Sequence, residues 1–203
     1  MVPANRAGVG LSRLLRHDAP LGVMANAPTY DWHMTNLANY INLSVNDIES
    51  IKLGAQKISA FGAGGGLLGL PGDFTPPSRF VRAAIYSQSA SPNATADDAV
   101  LAFHILNQFD IPKGSVVNSA AGEKMDEITE WTSVADLKNL RCVADLKNLR
   151  WYFRTFEDQS IHMVDLKRAV AAKGEIATIE MEGTKQPIAD VSSDTTTLKA
   201  ASR

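Results

Sequence analysis

Arg79 and Asn26 are the side chains whose placement most invites chemistry. Arg79 follows Thr75-Pro76-Pro77, a strong helix start in which a hydroxyl caps the end and proline takes the first position, where a missing N–H costs nothing. A cation in that first turn opposes the helix dipole by roughly several tenths of a kcal/mol, so its placement wants a reason. Two reasons are open: an ion pair with Asp73 just upstream, or a guanidinium held beside a reaction centre. Asn26 ends the apolar run 21–25, two residues before Pro28, whose ring turns Ala27 away from helical geometry. Taken alone, Asn26 reads as a turn residue at a strand end. Arg82 shares a helix face with Arg79 and is expected to be solvated.

Other motifs carry less. Gly64-Gly65-Gly66-Leu67-Leu68-Gly69 satisfies the GxGxxG spacing, but Leu70-Pro71-Gly72 follows it. A dinucleotide site needs a helix N-terminus at that point to hold the pyrophosphate, and an acidic residue at the end of a second strand. The glycines are expected instead to let two backbones approach closely or a strand bend. His17, His33, His104 and His162 lie far apart with no pair at ligand spacing, and the single Cys142 excludes a disulfide or a cysteine metal cluster within these residues. No metal and no other cofactor is expected. His104 lies beside an apolar helical stripe and reads as a packed or surface histidine.

The elements that must position Asn26 and Arg79 follow from periodicity. At 203 residues, 45% apolar, the chain can bury one substantial core. Its net charge of -2 supplies no field for nucleic acid or an anionic membrane surface, and no apolar run reaches the roughly 18 residues of a membrane span. Met34, Leu37, Ala38 and Ile41 give an apolar face to a helix over about 30–43, and 44–57 reads as a polar loop. Val81, Ala84 and Ile85 are the buried stripe of the helix after Thr75. Thr95, Asp97 and Asp98 open another, burying Ala99, Ala102, Phe103 and Leu106, and Pro112 and Gly114 close it. From Ile128 the period becomes two: Trp151, Phe153 and Thr155 alternate with Tyr152, Arg154 and Phe156. Residues 131–135 are the natural hairpin partner, 161–166 the next strand and 175–181 a last one.

Val134-Ala135-Asp136-Leu137-Lys138-Asn139-Leu140-Arg141 recurs, after Cys142, at 143–150. Nine residues is an odd insertion, so absorbing it in a strand would turn every later side chain to the opposite face. It is expected to loop out at the hairpin tip, with Cys142 in or near the loop. Residues 1–17 read as a loose segment unlike a secretory signal, and 190–203 as a loose tail.

GVMANAPTYDW at 22–32, LLGLPGDFTPPSRFVR at 67–82, FHILNQFDIP at 103–112, and 131–154 with its duplicated middle resemble the choloylglycine hydrolase family. These are the penicillin V acylases and bile salt hydrolases, N-terminal nucleophile (Ntn) enzymes that cleave linear amide C–N bonds. The resemblance covers roughly residues 18–168. It implies an α+β fold, part of an Ntn-hydrolase αββα sandwich of antiparallel sheets with flanking helices, of which 18–189 would be the C-terminal portion. It implies that Asn26 is the oxyanion-stabilising asparagine of the family's G-V-x-T-N motif and Arg79 the assisting cation of its S-R-F motif. The implied substrate is a small-molecule acyl or steroid amide, the implied protein partners are further copies in a homo-oligomer or an N-terminal half, and the implied source is bacterial, cytoplasmic or periplasmic. The family's nucleophile is a cysteine at the mature N-terminus whose own amine serves as base. The resemblance begins about halfway through the family pattern, and that cysteine has no counterpart here; Cys142 is internal, and Ala25 stands where threonine is usual. A chain inactive on its own is therefore expected, the alternative being a non-catalytic binding module or half of a split enzyme.

Overall fold

In the computed structural model, which describes residues 9–11, 21–90, 98–120, 123–136, 150–169, 178–179 and 181, one helix is buried nearly all round. This helix, α2 (Pro76–Ser89), buries every residue from Ser78 through Ala84, about two full turns. Pro76 takes its first position, as the sequence dictates. The Asp73 carboxylate fixes the entry, accepting from the Thr75 N–H at 2.9 Å, the Thr75 hydroxyl at 2.5 Å and the Ser78 hydroxyl at 2.6 Å.

Around α2 lie β2 (Val23–Ala25), α1 (Tyr30–Leu37) and a 3-10 turn, Asn107–Phe109. Val23, Phe80, Ala83, Ala84 and Phe109 form the core, with Leu21, Tyr30, Leu37, Ile105 and Leu106 packed against it. Full burial of a large apolar side chain contributes about 2 kcal/mol, so Phe80 and Val23 anchor the assembly. β1 (Val9–Leu11) pairs antiparallel with β2, so three residues of the segment expected to be loose satisfy a strand edge.

α1 is shorter than the 30–43 expected and continues as a 3-10 turn, Ala38–Tyr40. Its buried face is also a different one. Met34, Ala38 and Ile41 are exposed, whereas His33 is 1% exposed and lies face to face on Phe80, ring centroids 4.3 Å apart and planes within 7°. Tyr30 meets the same Phe80 ring edge-on at 5.8 Å. The ring available on α2 thus chose the docking face over the apolar stripe.

A second layer forms where α3 (Asp98–Leu106) lies on the sheet β7 (Trp131–Asp136), β8 (Arg150–Thr155) and β9 (His162–Asp165), antiparallel throughout in that order. Ala99 and Phe103 pack on Tyr152 and Val134. Arg154 also reaches this face, its guanidinium 5.4 Å from the Phe103 ring and 3.0 Å from Asp110. Phe153 turns the other way, against Trp151 and His162, so the expected period of two holds. His104 is exposed on α3. The β7–β8 ladder runs to Asp136 opposite Arg150, and residues 137–149, including Cys142, lie outside the described residues. With one nine-residue unit fewer, four residues would join these strands, a common hairpin length. The strand expected over 175–181 falls largely outside the described residues, and the tail 190–203 wholly so.

Two further hairpins are β3 (Ile51–Leu53) with β4 (Gln56–Ile58), in the region read as a loop, and β5 (Val117–Ala120) with β6 (Glu123–Asp126). The glycine-rich stretch is not a phosphate cradle. The Gly64 and Gly65 N–H groups donate to the Asp47 carboxylate at 2.5 and 2.9 Å, so the chain's own anion occupies the turn. A Cβ on Gly66 would collide with the Asn46 and Ser44 carbonyl oxygens, which makes this glycine one of close backbone approach. Among the described residues no helix is long and apolar enough to cross a membrane.

Candidate active site

Asn26 and Arg79, 53 residues apart in sequence, meet in space: Arg79 Nη2 donates to Asn26 Oδ1 at 2.9 Å. The approach depends on both elements. β2 ends against α2 through fully buried Val23, and Asn26 follows immediately, before the cis Ala27-Pro28 peptide and the start of α1. The Gln88 amide at the far end of α2 donates to the Leu21 carbonyl at 3.2 Å, and the Leu21 N–H donates to the Tyr30 hydroxyl at 3.3 Å, so the segment before Asn26 is tied at both sides.

The guanidinium contact also orients the carboxamide. An arginine has only N–H groups to offer, so the amide oxygen must face it and the amide nitrogen must face the other way. Arg79 is 4% exposed, and its Nε has no hydrogen-bond partner among the described residues. Burial lowers its pKa, the Arg82 charge lowers it further, and the Glu127 charge raises it. Arg79 nonetheless stays charged, because guanidinium ionises so far above neutrality.

Asp73 is not the counterion of Arg79. Its oxygens are engaged by Thr75 and Ser78, and those bonds, Ser78 first, hold its pKa down to about 2. A carboxylate capping three donors on its own loop has little left for a side chain one turn further on.

Arg82 corrects the expectation of a solvated residue. It is 4% exposed, and its Nη1 donates at 2.7 Å to both the Pro71 and the Asp73 carbonyl oxygens, while its plane lies 5.4 Å from the Phe109 ring centre. Its Nε and Nη2 have no partner among the described residues; burial lowers its pKa and the Asp73 charge offsets part of that. Arg82 therefore clamps the Pro71–Asp73 turn that launches α2. The signal was its three-residue spacing from Arg79, which puts both on one face; the misleading assumption was that a charged residue near a helix start meets water. His33 was missed too. Both of its ring nitrogens are buried, and burial lowers its pKa, against a smaller opposing pull from hydrogen bonding with the Ala27 backbone. Sequence offered no sign of it, because a helical histidine at this spacing reads as polar surface.

Chemically, the arrangement is a buried cation holding a carboxamide by its oxygen at the end of a strand. A family model described as linear amide C–N hydrolases, choloylglycine hydrolase family, matches residues 12–176, and the chain belongs to that family. The match starts six residues before the resemblance read from the sequence. Among curated relatives, a bile salt hydrolase/transferase of Clostridium perfringens is 36% identical over 168 residues, 82% of this chain and 47% of that protein. A conjugated bile acid hydrolase of Lactobacillus acidophilus is 42% identical over 118 residues, 57% of this chain and 36% of that protein. In three dimensions, the crystal structure of a variant of conjugated bile acid hydrolase from Clostridium perfringens superposes with a TM-score of 0.60 at 38% identity, covering 73% of this chain and 42% of that one. The chain thus spans less than half the length of these relatives, and its mixture of helices and antiparallel sheet is theirs.

Proposed function

We propose that these residues carry the amide-holding part of a linear amide C–N hydrolase, acting on a small-molecule amide of the conjugated bile salt or penicillin V kind. The observation that carries this reading is the 2.9 Å bond from the Arg79 guanidinium to the Asn26 carboxamide oxygen. A cation on that oxygen draws electron density from the amide and makes its N–H groups stronger donors, as charge-assisted chains do in a low dielectric. Asn26 is then the donor that meets the oxyanion built when the scissile carbonyl is attacked, and Arg79 holds and polarises it. One such donor is worth about 3 kcal/mol, a hundredfold or more in rate.

Attack itself needs a nucleophile. The one thiol in the sequence, Cys142, is flanked by Arg141 and Val143 and so carries no free α-amine to act as base. The attacking cysteine, in this reading, comes from chain outside these residues, and the αββα sandwich is completed there. Without a nucleophile, turnover falls on the order of a millionfold, judged from protease triads.

The test assays the purified chain against glycocholate and penicillin V, alone and mixed with a separately expressed, cysteine-initiated N-terminal segment of a family relative. No turnover alone, turnover in the mixture, and a loss of about a hundredfold or more with N26A are expected. Turnover by the chain alone, or a mixture indifferent to N26A, would overturn the reading. Ligand binding without turnover in the mixture would identify a non-catalytic binding module instead.

A further inference from the structure

A cavity of about 90 Å³ opens where β7 begins and β8 ends, with Asp110, Thr129, Trp131, Thr155, Phe156 and Gln159 in its lining. Neither Asn26 nor Arg79 borders it. The volume suits a small head group, since sites for drug-sized molecules start near about 300 Å³.

Donors along this wall are spent within the protein. The Thr155 N–H goes to the Asp158 carbonyl at 2.9 Å, the Phe156 N–H to the Glu130 carbonyl at 2.8 Å, and the Ile111 N–H to Thr129 Oγ1 at 2.9 Å. The Thr129 hydroxyl donates in turn to the Phe109 carbonyl at 3.4 Å, and Pro112 has no N–H to give. The Gln159 amide nitrogen donates to the Thr155 and Phe156 carbonyls at 2.8 and 3.3 Å, which turns its own carbonyl oxygen away from both. Acceptors are left over. Asp110 gives Oδ2 to Arg154 at 3.0 Å, but its Oδ1 and Gln159 Oε1 accept nothing among the described residues.

Trp131 and Phe156, both exposed, add two aromatic rings to the same lining. A ring face attracts a cation and repels an anion. Glu130 and Glu157, next in the chain to those rings, are exposed as well, and Lys113, next to Pro112, is the cation that adjoins them in sequence. Arg154 already bonds one Asp110 oxygen, yet burial raises the Asp110 pKa against that pull, so a second positive group would steady the carboxylate.

We propose that this cavity binds the ammonium group of a small primary alkylamine, with Asp110 Oδ1 and Gln159 Oε1 accepting two of its N–H bonds and the Trp131 and Phe156 rings flanking it. An ammonium carries three donors and no acceptor, the complement of this lining. A carboxylate or phosphate would meet unpaired acceptors instead. The site is independent of the reading of Asn26 and Arg79, and its test uses no hydrolysis.

The full chain, 15N-labelled, is titrated near neutral pH with n-propylammonium chloride, with n-propanol as the neutral control and sodium chloride as the ionic one. NMR follows the Trp131 indole N–H, identified by its loss in W131F, and the Gln159 side-chain amide pair, identified by its loss in Q159E. Propylammonium is expected to shift both saturably, with a Kd on the order of 1–10 mM, and neither control to do so. D110N should weaken binding about tenfold or more, and Q159M about threefold. D110N also disturbs the Arg154 pair, so Q159M, which leaves that pair intact, decides the matter if D110N does not fold. A response to propanol equal to that of the amine would make the cavity merely apolar and overturn the proposal. A drift matched by sodium chloride, or binding undiminished in Q159M, would overturn it too.

Discussion

The neighbourhood of α2 and the hairpin β3–β4 make opposite use of their residues. Around α2 the polar groups are inside: Arg79, Arg82, Ser78 and His33 are all buried. In the hairpin and the strip after it the apolar groups are outside, with Ile51, Leu53, Ile58, Phe61 and Leu68 exposed. Residue type alone would have put Arg79, Arg82 and His33 outside and Ile51, Leu53, Phe61 and Leu68 inside. The difference teaches where specificity comes from. Apolar side chains form a core only if another element covers them, whereas buried cations persist where carbonyls, a carboxamide and aromatic faces are already fixed around them.

The largest break in that contrast comes from R82M. It strips donors from the Pro71 and Asp73 carbonyls, which Nη1 serves at 2.7 Å each, while removing two unpartnered nitrogens. The net expectation is a stability loss of about 2–3 kcal/mol, read as a lower urea midpoint at unchanged slope.

A smaller effect attends D73N at the helix entry. The folded-state pKa, about 2, lies below the unfolded value of 3.8, so the carboxylate stabilises fully above about pH 4 and that contribution is lost as pH falls through about 2. The group is exposed, so solvent screening reduces the contribution to roughly 1 kcal/mol. D73N should lose that amount at pH 7 and flatten the stability profile between about pH 4 and 2, measured by denaturant titration across pH.

The smallest effect sharpens the other side. F61S and I51T, both at exposed positions, should change unfolding free energy by no more than about 0.5 kcal/mol while reducing binding of a hydrophobic dye. A loss comparable to that of R82M would show that the strip belongs to the core after all.

Legibility followed the range of the interaction. The proline start of α2, the Trp131–Asp136 and Arg150–Thr155 hairpin and the alternation of Tyr152 with Phe153 were readable because each is set by neighbours a few residues away. Of the two reasons open for Arg79, the ion pair with Asp73 is not formed, because the carboxylate is engaged by Thr75 and Ser78. The apolar stripe of α1 misled for a related reason: Phe80, far along the chain, offered a ring on which His33 stacks.

By itself the sequence determined where α2 begins, which residues alternate in the sheet, that the glycine run lacks a following helix, and which two polar residues were worth watching. Tertiary structure decided that Asn26 and Arg79 touch, that Arg82 is a clamp buried beneath its own loop, and that His33 faces inward. Propensity, capping and periodicity act over a turn or two of chain. The partner of a buried charge is instead chosen by which distant segments the core brings within about 3 Å of it, and that choice leaves no local trace.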